Sequence, residues 1–317
     1  MLFRLPLFYC SFLASSAFAA VSPDWVLVFE DNFKGDKLNT KKWSVIPYED
    51  GTAHIAWKRY QSQDAKLYRF TGKSLQLRGE FGQHRSQSNT DAPQQTYACA
   101  GIWSRDTFSF RFGKVEVKAR FDGVQGCWPA IWLMPTNGES WPKSGEIDLM
   151  EHLNDENGVY QTVHFCNEGG GAASRTSHKT FDELKLADSS AWHTYGMEWT
   201  PEGITFTIDG VTTATRTAAE TRNTFGADAK TFHLIIDQQI GGGWVEGSGK
   251  KGIDKETLSR RGAVLEVASV RVWSTPEFRH STLSEKRSQA GKPQAAKAEA
   301  KPKKGKKGKK GKITLMA

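Results

Sequence analysis

Short runs with an apolar residue at every second position constrain the fold of this chain most strongly. In residues 114–121, Val115, Val117, Ala119 and Phe121 alternate with charged residues. Successive side chains of a strand point to opposite faces, so this pattern predicts a strand with one buried and one solvated face. Clusters of Gly, Pro, Asn and Asp separate such runs, and no long helical period interrupts them. The sequence therefore predicts an all-β antiparallel sandwich.

The remaining strands follow from the same pattern. We predict strands at residues 26–29, 75–78, 126–135, 145–151, 161–165, 192–199, 204–209, 232–240 and 264–273. Residues 126–135 are apolar on both faces, which predicts an internal strand. Residues 85–96 are polar and predict a surface loop, and residues 241–244 predict a flexible loop that presents Trp244.

An acidic stretch at residues 145–151 carries the candidate chemistry. Glu146 and Asp148 share a face of the predicted strand, but strict alternation would place Glu151 on the core side, where an unpaired carboxylate is unfavourable. A β-bulge at Met150 would return Glu151 to the face of the other two acids. The two glutamate carboxyls would then be about 6 Å apart, a separation that suits glycosidases. An exposed acidic strand or a cation site would show the same residues, so the neighbouring motifs decide between these alternatives.

The positive charge of the chain is confined to its C-terminal part. The whole sequence carries a formal net charge of +8, while residues 292–312 contain ten Lys and one Glu, which leaves −1 for everything else. A nucleic-acid-binding fold would carry its basic residues on the folded part, so we expect no nucleic-acid partner. Residues 281–317 lack the apolar content to fold and are predicted to be a disordered tail. The tail is either simply solvated or a means of electrostatic contact with anionic surfaces.

The first 19 residues have the features of a secretory signal peptide. Arg4 is followed by an apolar run over residues 5–13 and by the small-residue site Ala17-Phe18-Ala19. The apolar run is too short to span a bilayer, so we expect no membrane span and a secreted protein, whether periplasmic, cell-surface or extracellular. Residues 20–280 are then expected to form a single catalytic domain.

Three cysteines remain after the predicted cleavage, namely Cys99, Cys127 and Cys166. An odd number leaves at least one free thiol, and no Cys/His spacing typical of metal sites is present. These residues are therefore expected to be mainly small core side chains, with one disulfide possible.

Several motifs in the same order resemble glycoside hydrolase family 16. They are residues 126–135, Trp141, residues 145–151, residues 192–199 and residues 241–244. The resemblance covers residues 25–273 and implies a curved jelly-roll sandwich of the concanavalin A-like type, with an open cleft on its concave face. It also implies a retaining endo-β-glycosidase, which we expect to be monomeric.

The resemblance assigns roles to the three acids. Glu146 corresponds to the nucleophile, Glu151 to the general acid/base and Asp148 to the residue between them. Glu151 must hold a proton near neutral pH, and we expect the negative charges of Asp148 and Glu146 to raise its pKa.

The resemblance also implies a set of sugar-binding side chains. For Asp237 and Gln239, the alternation of residues 232–240 independently predicts a shared polar face. For Trp128 a buried structural role, and for His164 a hydrogen-bonded structural role, are equally compatible with the sequence. The candidate substrate-binding residues are Trp132, Trp141, His164, Asp237, Gln239, Trp128 and Trp244.

Departures from the family pattern leave the substrate open. Laminarinases usually have Asn-Leu-Ala where this chain has Asp237-Gln238-Gln239. Ala268 replaces an Asp that binds structural calcium in many members, so we predict no metal and no cofactor. The first candidate substrate is a β-1,3 or mixed β-1,3/1,4 glucan. The alternative is a galactan or the poly-N-acetyllactosamine of mucin-type O-glycans, which an endo-β-galactosidase would cut. A noncatalytic carbohydrate-binding protein is disfavoured because all three acids are present.

Overall fold

The computed structural model describes residues 24–47, 58–85, 92–136, 140–247, 251–276 and 279–282 of the 317-residue chain. The predicted signal peptide and residues 283–317 of the predicted tail lie outside these ranges, whereas residues 281 and 282 form the end of a strand rather than part of a disordered tail. None of the helices in the described ranges has the length and apolar character needed to cross a membrane.

Eighteen strands and three short helices occupy the described ranges. In chain order the strands are β1 (Val26–Asp31), β2 (Ser44–Val45), β3 (Tyr68–Phe70), β4 (Leu75–His84), β5 (Gln94–Cys99), β6 (Gly101–Trp103), β7 (Phe108–Arg111), β8 (Gly113–Phe121), β9 (Cys127–Pro135), β10 (Glu146–Glu151), β11 (Val159–Cys166), β12 (Ala172–Lys179), β13 (His193–Thr200), β14 (Gly203–Ile208), β15 (Val211–Thr217), β16 (Phe232–Ile240), β17 (Ala263–Ser274) and β18 (Arg279–Thr282). The helices are α1 (Phe181–Leu184), α2 (Gly243–Glu246) and α3 (Lys255–Arg260).

The strands form two antiparallel sheets. The first sheet has the order β15-β14-β13-β8-β17-β4-β3, with β1 paired to β17 and β5 paired to β4. The second has the order β12-β11-β10-β9-β16-β6-β2, with β7 paired to both β16 and β18. Two mixed-order antiparallel sheets confirm the predicted all-β sandwich class.

The packing of β8 confirms that its alternate apolar residues form the buried face. Val115, Val117, Ala119 and Phe121 are all buried in the main core. The strand pairs with β13 on one side and β17 on the other, so its backbone groups are satisfied within the first sheet.

Trp199 of β13 joins the two sheets at the centre of the core. It is fully buried, and its indole N–H donates to the carbonyl of Phe225 at 2.8 Å. Its ring lies edge-on to Phe110 of β7 and Phe232 of β16, both from the second sheet, at centroid distances of 6.3 and 5.3 Å. Edge-to-face aromatic pairs of this kind add to the apolar burial that holds the layers together.

The middle of the second sheet is the most deeply buried part of the fold. All nine residues of β16 are buried, and the strand pairs over its whole length with β9. Both strands lie between β10 and β6. The prediction that residues 126–135 form an internal strand is therefore confirmed, and β16 has the predicted bounds of residues 232–240.

A register shift in β10 confirms the predicted bulge. Asp148 pairs with Trp132 of β9, but two residues further on Met150 pairs with Ile131, which is only one step along β9. Leu149 and Met150 are both fully buried in the main core. The extra residue therefore keeps two consecutive side chains on the core side, and Glu151 returns to the face of Asp148.

Gly145 fixes where β10 begins. Its φ of +84° lies in the region that favours glycine, and its N–H donates to the carbonyl of Pro142 at 3.0 Å. A Cβ atom at this position would lie 2.7 Å from two ring carbons of Phe225. Only glycine satisfies both the backbone conformation and the close approach of that ring.

Two local predictions were wrong. Residues 94–96 belong to β5 rather than to a loop, because this polar edge strand pairs with β4 alone and does not need an apolar face. Residues 243–246 form α2 rather than a flexible loop.

Several strands were not predicted. The short strands β6 and β7 have three or four residues, which are too few to show a period. The longer strands β12 and β15 consist mainly of polar residues and therefore lack the apolar alternation.

The cysteines behave as predicted for small core side chains. Cys99, Cys127 and Cys166 are free thiols in the described structure, and the first two are fully buried in a satellite cluster with Ile240 and Leu258. Burial raises the pKa of Cys127 to about 12, so this thiol stays protonated at neutral pH.

The packing of Gly145 gives a matched stability test. Gly72 has nearly the same φ, +83°, but a Cβ there would meet no atom within 4 Å. Gly72→Ala should lower the free energy of unfolding by about 1 to 2 kcal/mol through its backbone conformation. Gly145→Ala should cost about 1 to 3 kcal/mol more, because the new methyl group overlaps the Phe225 ring. Urea denaturation of both variants measures the difference, and equal costs would contradict the role given to Phe225.

Candidate active site

The bulge in β10 brings three acids to one cleft. Asp148 and Glu151 are buried and Glu146 is half-buried on the same face of the second sheet. The cleft has a volume of about 390 Å³. It is lined by Trp128, Trp141, Glu146, Glu151, Thr162, His164, Ser174, Thr176 and Trp244.

Glu146 is held by two hydrogen-bond donors. The indole N–H of Trp141 donates to Glu146 Oε2 at 2.6 Å, and Asp148 forms a second hydrogen bond. Burial raises the pKa of Glu146, while His164 and these two hydrogen bonds oppose the rise. The neighbours therefore favour the ionised form of Glu146 in a site that desolvation would otherwise keep neutral.

Asp148 is the acid best suited to stay protonated. Burial, followed by the negative charge of Glu146, raises its pKa well above the usual range. His164 Nε2 lies 3.4 Å from Asp148 Oδ2. A neutral Asp148 can donate its proton in a hydrogen bond to Glu146, which explains why the two carboxyl groups tolerate each other.

Glu151 is also driven toward its protonated form. Burial raises its pKa well above the usual range, and the negative charge held by the Asp148–Glu146 pair adds to the effect. The predicted direction is therefore confirmed, but the larger cause is burial rather than the neighbouring acids. The indole N–H of Trp128 donates to Glu151 Oε1 at 3.0 Å and acts in the opposite direction, because it stabilises the carboxylate.

Two exposed tryptophans flank the acids. Trp141 is 50% exposed and its ring lies 5.9 Å from the ring of His164. Trp244, on α2, is 39% exposed and packs edge-on against Trp128 at 5.1 Å and Tyr160 at 5.2 Å. Exposed indole faces on both sides of a polar floor are typical of surfaces that bind sugars, since they bury apolar area without excluding hydroxyl groups.

Three of the predicted sugar-binding residues lie below the cleft surface. Trp132 is 4% exposed and donates its indole N–H to Asp237 Oδ1 at 2.8 Å. Asp237 has no exposed surface and also accepts hydrogen bonds from Gln61 at 3.0 Å and Gln239 at 3.4 Å. In this structure Trp132, Asp237 and Gln239 contact one another and support the floor, because burial leaves them almost no surface for a ligand.

The sequence did not point to several residues of the site. Thr162 shares the cleft face of β11 with His164, so the alternation of that strand contained the signal. Ser174 and Thr176 lie on β12, a polar strand without apolar periodicity. Gln61 is distant in sequence from every motif, and only the folded chain places it against Asp237.

One group of the site has donors that suit a metal ion. Ligand atoms of Glu146, Asp148 and His164 all lie within 4.8 Å of one another. Two carboxyl groups and an imidazole are compatible with a divalent cation. Trp141 and Asp148 already donate hydrogen bonds to Glu146, so hydrogen bonds also account for the arrangement of its carboxylate. The prediction of no metal at Ala268 concerns a different position and stays a prediction.

Comparison with known proteins matches most of this chain to one family. The family model for glycosyl hydrolases family 16 matches residues 54–255. The keratan-sulfate endo-1,4-beta-galactosidase of Sphingobacterium multivorum is 30% identical over 235 residues, which cover 72% of this chain and 52% of that protein. The beta-glucanase of Rhodothermus marinus is 29% identical over 284 residues, which cover 83% of this chain and 90% of that protein. The chain thus spans about half the length of the first relative and most of the second.

A solved structure agrees with the architecture. The laminarinase from Rhodothermus marinus matches with a TM-score of 0.65 and 26% identity, over 79% of this chain and 98% of that structure. The agreement extends over most of both chains, so the predicted jelly-roll sandwich is confirmed.

The buried carboxyl of Asp237 predicts a pH-dependent stability. Burial raises its pKa from 3.8 to about 7, so the folded protein holds this proton more tightly than the unfolded chain does. The resulting stabilisation is complete below pH 4 and is lost as the pH rises through 7. The free energy of unfolding of the wild type, relative to Asp237→Asn, should therefore fall by about 4 kcal/mol at most between pH 4 and pH 7. Urea denaturation across this range tests the expectation, and a difference that does not change with pH would contradict it.

Proposed function

Because the chain belongs to glycosyl hydrolase family 16, we propose that it is a secreted, retaining endo-β-glycosidase that cuts β-1,3 or mixed β-1,3/1,4 glucan. One observation carries the proposal: the bulge in β10 aligns Glu146, Asp148 and Glu151 along one cleft between two exposed tryptophans. The carboxyls differ in their surroundings as the two roles in glycoside cleavage require.

The first step uses Glu146 as nucleophile and Glu151 as acid. A carboxylate oxygen of Glu146 forms a bond to the anomeric carbon while the bond from that carbon to the leaving oxygen breaks. The proton of Glu151 moves to the leaving oxygen. The raised pKa of Glu151 supports this role, because the acid must still hold its proton near neutral pH.

The second step reverses the proton transfer. Glu151, now ionised, accepts a proton from water while the water oxygen bonds to the anomeric carbon and the ester bond to Glu146 breaks. Esterification removes the charge of Glu146, which raises the pKa of Glu151 as long as Glu146 is ionised. The pKa of Glu151 therefore falls when its role changes from acid to base.

Glucan is the favoured substrate class because the chain aligns with nearly the whole length of a beta-glucanase and of a laminarinase structure. The chain covers 90% of a protein named as a beta-glucanase and 98% of a laminarinase structure. Alignment over nearly the whole length of these relatives supports a shared cleft as well as a shared scaffold.

The second candidate is an endo-β-galactosidase. The keratan-sulfate endo-1,4-beta-galactosidase is slightly more similar in sequence, at 30% identity, although this chain covers only 52% of it. Galactans or poly-N-acetyllactosamine would then be the substrates.

Secretion and the tail complete the proposal. The signal-like residues 1–19 support export, and the Lys-rich residues 292–312 support electrostatic contact with anionic surfaces. We propose that the enzyme acts as a monomer on polymeric glycans outside the cytoplasm.

Substitution of either glutamate tests the mechanism. Glu146→Ala and Glu151→Ala should each lower turnover of the preferred glycan at least about 10³-fold, because each removes a group that acts on the reacting bonds. Reducing-end release measures the loss. Glu116→Ala, which removes a carboxylate from the first sheet that pairs with Lys114, serves as a control and should keep wild-type activity.

Azide separates the two roles. Azide can replace the missing nucleophile of Glu146→Ala and should then give a glycosyl azide of inverted anomeric configuration, which NMR of the product identifies. A product of retained configuration would show that Glu146 is not the nucleophile. Wild-type activity of Glu151→Ala would show that Glu151 is not the acid.

Product analysis decides between the two substrate classes. The wild type should release oligosaccharides from laminarin and barley glucan, and anomeric analysis should find the β configuration in the first product. Chromatography of digests of agarose and of mucin glycans tests the galactosidase. If the enzyme cleaved the galactose-containing polymers and left the glucans intact, endo-β-galactosidase would become the preferred activity. If it released oligosaccharides from none of these polymers, the proposed function would be wrong.

A further inference from the structure

Each of the two glutamates accepts one indole N–H, but the two tryptophans are held differently. Trp141, which donates to Glu146, is half exposed and stands at the cleft rim. Trp128, which donates to Glu151, is half-buried and packs against the ring of Trp244. The second arrangement has the features of a fixed hydrogen-bond donor.

A line of aromatic contacts supports Trp128. Trp244 packs edge-on against Trp128 with the two rings 85° apart, and Tyr160 packs edge-on against Trp244 at a centroid distance of 5.2 Å. Tyr160 also pairs with Glu151 in the register of β10 and β11. The ring of Trp244 therefore limits rotation of the Trp128 indole on the side that it contacts.

The helix that carries Trp244 is itself anchored. The backbone N–H of Gly242 donates to Glu246 Oε2 at 2.6 Å. The same oxygen lies 3.3 Å from the guanidinium of Arg59. These bonds tie both ends of α2, so Trp244 is a stable support for the indole of Trp128.

We propose that Trp128 is a positioning residue that selects which oxygen of Glu151 delivers the proton to the leaving group. An indole N–H can only donate, and an unprotonated carboxyl oxygen accepts a hydrogen bond better than a protonated one. With Oε1 engaged by Trp128, the transferable proton is carried by Oε2. The inference rests on the proposed function, in which Glu151 is the acid.

The same hydrogen bond makes Glu151 a more effective acid. As the bond to the leaving oxygen breaks and the proton of Glu151 Oε2 moves to that oxygen, a carboxylate forms, and the N–H of Trp128 strengthens its hydrogen bond to it. The benefit is greatest for a sugar hydroxyl, a poor leaving group that must be protonated to depart. A leaving group that departs as a stable anion gains little from it.

Trp128→Phe keeps the ring and removes the donor. The variant should lose about tenfold or more in kcat/KM on an oligosaccharide, and less than about threefold on the matching dinitrophenyl glycoside, which needs no protonation. The alkaline limb of the pH profile should also move upward by about one pH unit, because a donor to the ionised form of Glu151 is lost. Equal losses on both substrates, or an unmoved limb, would overturn the proposal.

Trp244→Ala is the matched control for packing. It removes the ring against Trp128 but keeps the N–H donor. Because Trp244 supports the indole, we expect a raised KM, a selective loss on the oligosaccharide that is smaller than in Trp128→Phe, and a smaller upward shift of the alkaline limb. A selective loss as large as that of Trp128→Phe would assign the effect to packing and overturn the role of the N–H.

An NMR titration of the wild type tests the contact without relying on activity or on a folded Trp128 variant. The indole N–H signal of Trp128 should shift as Glu151 ionises, and the shift should vanish in Glu151→Gln. An indole N–H signal that does not shift with pH, or that still shifts with pH in Glu151→Gln, would overturn the inference. Failure of the wild type to cleave any glycan would instead defeat the proposed function, so the two failures are distinguishable.

Discussion

The period of two along a β-strand is the constraint on which the active site depends. A regular β10 would place Glu146 and Glu151 on opposite faces, one in the cleft and one in the core. Because Leu149 and Met150 both turn into the core, the strand gains an apolar anchor at the point where it changes phase. The bulge therefore places two apolar side chains between the sheets and also aligns the carboxyl groups. A change in one of these features would change the other.

Desolvation is the second organising force. The three acids lie in the centre of a sheet whose neighbouring strands are among the most buried of the fold, and burial is the largest cause of every raised pKa among them. His164, Trp141 and Asp148 favour the anion of Glu146, whereas Trp128 and His164 oppose the rise in the pKa of Glu151. Small differences in hydrogen bonding can set distinct chemical roles because the low dielectric magnifies them.

Periodicity predicted the longer strands that bury a face in the core and missed short or polar elements. The strands β8 and β16 and the bulge at Met150 followed from alternation, since each buries one or both faces. The family and its fold class were recognised from the motifs around residues 145–151 and are confirmed. The sequence did not predict the strand at residues 94–99, the helix that contains Trp244, or the contact of Gln61 with Asp237. Polar edge strands, very short helices and contacts between residues distant in sequence show no periodic pattern. The same limit explains why Asp237, polar in sequence, proved to be buried support.

The outermost strand of the second sheet performs two tasks with one set of side chains. β12 lines the cleft with Ser174 and Thr176 and, among the described strands, pairs with β11 alone, which leaves an edge of the kind to which a second chain can add a strand. Its hydroxyl and basic residues discourage such pairing. The same polar strand therefore lines the cleft and protects the sheet edge, and a variant with a more apolar β12 would become more prone to self-association.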